Sequence, residues 1–241
     1  MLLATSYITI AQTFIFINSN GIILLLNTKT MRQIPFYANT KDNLNCYGAC
    51  VKSALKYFFP KKNHTWKEIN EITQKRPGFT PWSMAGLVYF AKHGIEVKVI
   101  DPFSYQKFAN DGLNFLKKIL GEKEFTKDFN ADKKIFLQAE KSVKELVKNS
   151  SIKIIKKIAT FNDIKESFKH YDVVMVGVNA KMLYNQKIIT NHIVIILEIQ
   201  KDNIILHDSG LPPHKAVKIS LKNFKKAFLY NERVFALRRK P

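Results

Sequence analysis

The chain's two cysteines fall in one hexapeptide, Asn45-Cys46-Tyr47-Gly48-Ala49-Cys50, and sixteen residues separate His192 from Asp208 further on. A cysteine in the first turn of a helix has its thiolate stabilised by the free N–H groups and partial positive charge there, which makes it nucleophilic. It becomes a catalyst when a base stands within hydrogen-bond reach and a third group orients that base. Cys46, His192 and Asp208 can supply those three parts. Cys50, one turn deeper on the same face, reads as a small buried hydrophobe. The competing reading makes both thiols inert core residues.

His192 opens the apolar run Ile193-Val194-Ile195-Ile196, and Asp208 ends the run that follows. A loop centred on Gln200 would set the two residues directly opposite on one face, whereas a tight turn at Lys201-Asp202 would set Asp208 against Ile195. The catalytic reading therefore requires the longer loop or a bulge. His207 should point to the opposite face and pack or hydrogen-bond there. His64, His93, His170 and His214 fall in turns or at helix ends, as surface histidines do. Structural zinc draws paired ligands from two short knuckles, which disfavours a site built on Cys46 and Cys50 with a histidine. No metal or cofactor is expected. An acyl-transfer site needs donors for the developing oxyanion. The Cys46 backbone amide is one, and a side-chain amide from Asn39, with Asn43 and Asn45 as nearer alternatives, is the second.

The elements that must position these groups follow from periodicity. From Cys46, apolar and small residues recur at 46, 49, 50, 53, 54, 57 and 58, one face of a helix with Asn45 at its N-cap. Phe59-Pro60 ends it. Trp66 to Thr73 and Ser83 to His93 read as helices, the second closing at Gly94, and Glu96 to Ile100 reads as a strand. Residues 104–150 are rich in Lys and Glu with helical spacing at 113, 116 and 120 and again from 136 to 147, a helical insertion. Phe161 to Phe168 is a helix capped by Thr160 or Asn162. Val173 to Val178, His192 to Leu197 and Ile204 to His207 are short β-branched runs bounded by turn residues, strands of a mostly antiparallel sheet. Helices first and sheet second describe an α+β domain over 31–241.

Residues 1–30 are apolar but broken by Asn18-Ser19-Asn20-Gly21. The break leaves too few apolar residues in a row for a spanning helix, and no basic residues precede the segment as in a signal peptide. It reads as a hairpin or as a dispensable extension, with a membrane anchor as the remaining alternative to a cytoplasmic location. Two cysteines four apart make no disulfide framework, so free thiols are expected. The net charge of +20 raises nucleic acid or another anionic polymer as a partner. The charge is spread along the chain, and only Arg32, Arg76, Arg233, Arg238 and Arg239 are arginines, the residue on which base-edge recognition leans. A solvated lysine-rich surface is favoured, with no specific nucleic acid partner and no firm membrane segment. The sequence leaves the oligomeric state open.

From Gln33 to Phe228 the chain resembles papain-like cysteine peptidases of the bacteriocin-processing kind, cysteine-peptidase family thirty-nine and its "like" group. Ile34-Pro35-Phe36-Tyr37-Ala38-Asn39 resembles the upstream hydrophobic-Pro-aromatic-Tyr stretch and its amide residue. Cys46-Tyr47-Gly48-Ala49-Cys50 resembles the Cys-Gly-Pro-Ala-Cys/Ser helix start, with the nucleophile on Cys46. Asn191-His192-Ile193-Val194 and His207-Asp208-Ser209-Gly210 resemble the His strand and the Asp-Pro-Gly turn. The resemblance implies a papain-like fold, a helical half packed on an antiparallel sheet. It also implies attack by the Cys46 thiolate on a peptide or small amide, His192 as base then acid, Asp208 orienting the imidazole, and an acyl-enzyme. Three positions depart from the family. Tyr47 replaces a glycine beside the substrate and would crowd it, Asn39 replaces glutamine and shortens the reach to the oxyanion, and Ser209 replaces proline. Two alternatives stand beside a cysteine peptidase or amidase: a catalytically silent papain-like binding domain, and a basic polymer-binding protein.

Overall fold

Small residues at Gly48, Ala49, Ser53 and Ala54 let α1 (Cys46–Phe58) sink into the protein, with Val51, Leu55 and Phe58 buried as well. Burial extends round more of this helix than the one apolar stripe expected. The computed structural model describes residues 14–17, 23–26, 31–188 and 190–240. The chain divides into two units, Met1–Arg32 and Gln33–Pro241. In the first, β1 (Phe14–Ile17) and β2 (Ile23–Leu26) pair antiparallel, Phe14 opposite Leu26 and Ile17 opposite Ile23. The turn expected at Asn18-Ser19-Asn20-Gly21 lies outside the described residues.

In the second unit, α1 is followed by α2 (Trp66–Thr73), α3 (Ser83–Lys92) and β3 (Ile95–Ile100). Thr65 and Glu68 close a capping box on α2, each satisfying a backbone donor at the helix start. Gly94, just past α3, takes φ +79°, where a side chain would be strained. Four helices come next: α4 (Tyr105–Asp111), α5 (Leu113–Leu120), α6 (Glu122–Ala131) and α7 (Lys133–Lys148). Phe136, Ala139, Val143 and Leu146 are buried along α7 as their spacing predicts, but Leu120 of α5 is 41% exposed.

The remaining elements are β4 (Ile152–Ile155), α8 (Phe161–His170), β5 (Val173–Asn179), α9 (Ala180–Leu183), β6 (Asn191–Ile199), β7 (Asn203–Asp208), β8 (His214–Ser220), α10 (Leu221–Phe228) and β9 (Val234–Arg239). Thr160, not Asn162, caps α8, in a second box with Asp163. The seven strands of this unit run in the order β4-β3-β9-β5-β6-β7-β8, antiparallel throughout except for the β3–β4 pair. This is the α+β architecture expected, with five elements that periodicity does not predict: β4, α9, β8, α10 and the interior strand β9. One face of the sheet packs Val174, Val176, Val194 and Ile196 against Phe168 of α8 and Phe224 of α10. On the other side, the Tyr47 ring of α1 meets Phe235 of β9 edge-on at 6.2 Å.

β6 and β7 carry the register question. Ile195 pairs with His207 and Ile196 with Leu206, and a bulge between Ile196 and Glu198 shifts the pairing by one. Extended by a residue, this register sets Asp208 across from Val194, not across from His192. The two residues lie on a diagonal of the same face, an offset that long side chains span.

Candidate active site

The His192 ring and the Asp208 carboxylate are joined across that diagonal by a hydrogen bond of 2.7 Å, Nε2 to Oδ1. Both are buried, His192 at 6% exposure and Asp208 at 3%. Nδ1 is the ring nitrogen left for the thiol, and the Cys46 sulfur and the His192 ring influence each other's charge. Cys46 is half-buried and Cys50 buried, both as free thiols. The Ile193 backbone binds both cysteines: its N–H reaches the Cys46 sulfur, and its carbonyl accepts from Cys50 Sγ at 3.5 Å.

The electrostatics follow from these contacts. Burial opposes charge on Cys46, but the hydrogen bond and positive charge of His192, with the N–H groups of Ile193 and Tyr47, outweigh it and hold the thiol below its ordinary range. Burial likewise opposes charge on His192, yet Asp208 and Cys46 push it up to about 10. Asp208 is lowered against its own burial by His192, Tyr184 and the Gly210 N–H. A thiolate facing an imidazolium is the arrangement all three shifts favour. Cys50 goes the other way: burial, then the nearby Cys46 and Asp208, pushes it well above the thiol range. The two thiols are thus shifted in opposite directions.

Asp208 has more support than the sequence suggested. Tyr184, in the loop after α9, donates its hydroxyl to Oδ2 at 2.7 Å, and the Gly210 N–H donates to Oδ1 at 2.8 Å. A Cβ on Gly210 would come within 2.9 Å of Oδ1 and 3.5 Å of the His192 ring, so only glycine leaves that approach open. Tyr184 carries no motif and sits in a loop without periodicity, so no sequence signal points to it. His214, assigned to the surface by sequence, opens β8 with its ring 5.3 Å from that of Tyr184. It lines the same cavity as Cys46, His192 and Asp208, as do Asn43, Thr80 and Gln186.

The amide residues upstream divide their labour. Asn39 Oδ1 accepts from the backbone N–H of Thr40 at 2.8 Å and of Asn45 at 3.0 Å, and its Nδ2 donates to Asn43 Oδ1 at 2.9 Å. Its own N–H donates to the Ser209 carbonyl at 2.8 Å, which ties this loop to the turn after Asp208. Asn45 occupies the N-cap position without capping through its side chain. Its Nδ2 donates to Asn70 at 2.9 Å, and a Cβ on Gly48 would overlap its Oδ1. Of the three amides, Asn43 is the one that lines the Cys46 cavity, in a left-handed turn at φ 54°.

Tyr47 does not crowd that cavity. Its side chain turns into the protein at 4% exposure and donates to the Ser83 carbonyl at 2.8 Å, in space that Gly86 leaves open. The second strand-borne histidine, His207, is buried on the opposite face as its parity predicts. It donates from Nε2 to the Ile34 carbonyl at 2.8 Å and accepts from the Ala216 N–H at 3.0 Å. Among the described residues no cluster of three or more His, Cys, Asp or Glu is placed to hold a metal ion, and no helix is long and apolar enough to cross a membrane.

No protein-family model and no curated protein matches the chain. Among solved structures it is similar to the peptidase domain of Streptococcus ComA, a bi-functional ABC transporter involved in a quorum sensing pathway. The identity is 10%, over 86% of this chain and 100% of that one, with a TM-score of 0.49. It is also similar to a double glycine motif protease from an AMS/PCAT transporter in complex with the leader peptide. There the identity is 13%, over 88% of this chain and 96% of that one, with a TM-score of 0.45.

Proposed function

We propose that the chain is a cysteine peptidase or amidase with Cys46 as nucleophile, His192 as base and acid, and Asp208 as the group that orients and charges the imidazole. What supports this reading is the 2.7 Å bond between His192 and Asp208 at the wall of an open cavity that Cys46 also lines, with the charge of His192 holding the thiol down. The thiolate attacks the carbonyl carbon, and the carbon–oxygen π pair moves onto oxygen. Backbone N–H groups at the start of α1, which lack intrahelical acceptors, face the growing negative charge. A side-chain amide from the Asn39 loop adds a second donor, through the Asn39 Nδ2 hydrogen not spent on Asn43 or through Asn43 itself. The oxyanion then collapses, the carbon–nitrogen bond breaks, and the leaving amine takes the proton from His192 Nδ1. Water gives a proton to the now neutral imidazole as it attacks the thioester, releasing the acid and restoring the thiolate–imidazolium pair.

The buried position of Tyr47 removes the main argument for a silent binding domain, namely a groove blocked beside Cys46. Iodoacetamide tests the reading without knowledge of the substrate. Near neutral pH it should alkylate Cys46 and spare Cys50, and His192→Ala should slow the reaction by about 100-fold. Equal rates in the two proteins would overturn the assignment.

A further inference from the structure

β4 (Ile152–Ile155) forms one edge of the sheet, separated from β6 by β3, β9 and β5. Its inner side is spent on β3: the Val97 N–H donates to the Ser151 carbonyl at 2.8 Å and the Asp101 N–H to the Ile155 carbonyl at 3.2 Å. Main-chain groups alternate sides along a strand, so those of Ser151, Lys153 and Ile155 face β3 and those of Ile152, Ile154 and Lys156 face outward. The Ile152 N–H donates to the Asn149 carbonyl at 3.0 Å. The Ile152 carbonyl, both main-chain groups of Ile154 and the Lys156 N–H have no protein partner among the described residues. The side chains of Ile152, Ile154 and Lys156 line one cavity of about 290 Å³ with Phe103 and Val147. On the other face of the strand Ile155 packs against the core and Lys153 is exposed. Lys157 pairs with Asp163 at 2.7 Å, whereas Lys153 and Lys156 form no ion pair among the described residues. Antiparallel pairing of β4 with a second copy would bring the two Lys153 side chains together, which disfavours that occupant. An acidic strand meets no such obstacle.

We propose that the outer edge of β4 is a docking site for an extended acidic segment of a partner protein, added to the sheet as a further strand. The main chain of that segment satisfies the outward groups of Ile152, Ile154 and Lys156. Every second side chain is aliphatic and lies over Ile152 and Ile154, one of them entering the cavity beside Phe103 and Val147. The carboxylates between them face Lys153, so the segment alternates aliphatic and acidic residues. The site lies where the helical segment rejoins the sheet, with Val147 contributed by α7. It gives that segment a binding role apart from Cys46. Lysines also keep an edge strand unpaired, and a chain of net charge +20 attracts anions generally, so the test separates strand addition from both.

Two fluorescein-tagged heptapeptides of the same composition are titrated into the full chain, one with Glu and Val alternating and one with Glu and Val in two blocks. By fluorescence anisotropy the alternating peptide should bind saturably and about tenfold more tightly than the block peptide. Ile154→Pro removes an outward N–H, leaves the ladder to β3 in place, and should weaken that binding by about tenfold. Lys153→Glu combined with Lys156→Glu, at exposed positions where folding is tolerant, should weaken it by about fivefold or more. Iodoacetamide labelling of Cys46 should be the same in both variants as in the parent, which separates this edge from the active site. The lysine variant decides alone if Ile154→Pro does not fold. No binding, equal binding of the two peptides, or parent-like binding of the alternating peptide by either folded variant would overturn the proposal. A dimer in sedimentation that Ile154→Pro disperses would also overturn it, by giving the edge to a second copy.

Discussion

β6 and β7 carry one buried histidine each, pointing to opposite faces of the same two strands, and the two faces treat imidazole in opposite ways. On one face His192 meets a carboxylate and a thiol, and its pKa is pushed up to about 10 against the opposing effect of burial. On the other face His207 meets a backbone carbonyl and a backbone N–H, and burial lowers its pKa. Exposure is nearly equal, 6% and 4%, so burial does not decide which ring is charged. The partners decide. Asp208 offers a full negative charge, whereas the Ala216 N–H needs a lone pair on the His207 ring and so selects the neutral form. One face joins the imidazole to a carboxylate, and the other staples the segment around Ile34 to the sheet.

Removing the anion should break this contrast most severely. Asp208→Asn leaves His192 with a neutral neighbour, so iodoacetamide labelling of Cys46 near neutral pH should fall by about 100-fold and its pH profile should move to the alkaline side. An unchanged profile would mean that the carboxylate does not set the pair. The other face should answer in stability instead. His207→Leu strands the buried Ile34 carbonyl and Ala216 N–H, and urea unfolding should report a loss of about 2 kcal/mol, with Cys46 labelling little changed. A collapse of labelling at full stability would reverse the roles assigned to the two faces.

The pH dependence of stability should separate the rings by sign. His192 has a folded pKa above its ordinary 6.5, so its contribution is full below 6.5 and is lost as pH rises through about 10. His207 has a folded pKa below 6.5, so its contribution is present above 6.5 and is lost as pH falls through the lowered value. His192→Gln should therefore flatten the alkaline limb of a stability–pH curve and His207→Leu the acid limb; both variants flattening the same limb would refute the assignment. The smallest effect is expected from Tyr184→Phe. It deletes one donor to Asp208 from a side chain that is itself part-exposed, and should cost about 1 kcal/mol of stability and slow labelling only a few-fold. Labelling of Tyr184→Phe at the parent's rate would reduce Tyr184 to a packing residue.

Much of this contrast is legible in the amino-acid sequence. Cys46 stands out by its place at a helix start, and His192 and Asp208 by their places at strand ends. The opposite facing of His207 follows from strand parity alone. The register does not: a bulge at Leu197 shifts the pairing by one residue, and no residue type in Ile196-Leu197-Glu198 marks it. The direction of Tyr47 depends on Gly86 and Ser83, some forty residues away, which no local pattern reports. β9 escapes notice because Val-Phe-Ala-Leu followed by two arginines is a short apolar run without alternation. Strands buried on both faces read that way and cannot be told from helix by period. Tyr184 lies beyond reach altogether, since it meets Asp208 only through the path of the α9 loop.

The position of β9 in the sheet bears on how the protein is made. It follows every other strand of the sheet in chain order, yet it hydrogen-bonds to β3 on one side and β5 on the other. Until residues 234–239 have left the ribosome, the strands of this sheet form at most two separate groups, β3 with β4 and β5 through β8. Arrival of β9 ties the group that flanks the helical segment to the group that carries His192 and Asp208. Such long-range closure is slow relative to hairpin formation. A nascent chain could thus hold its hairpins early and still keep the two halves of the sheet unjoined until this strand has emerged.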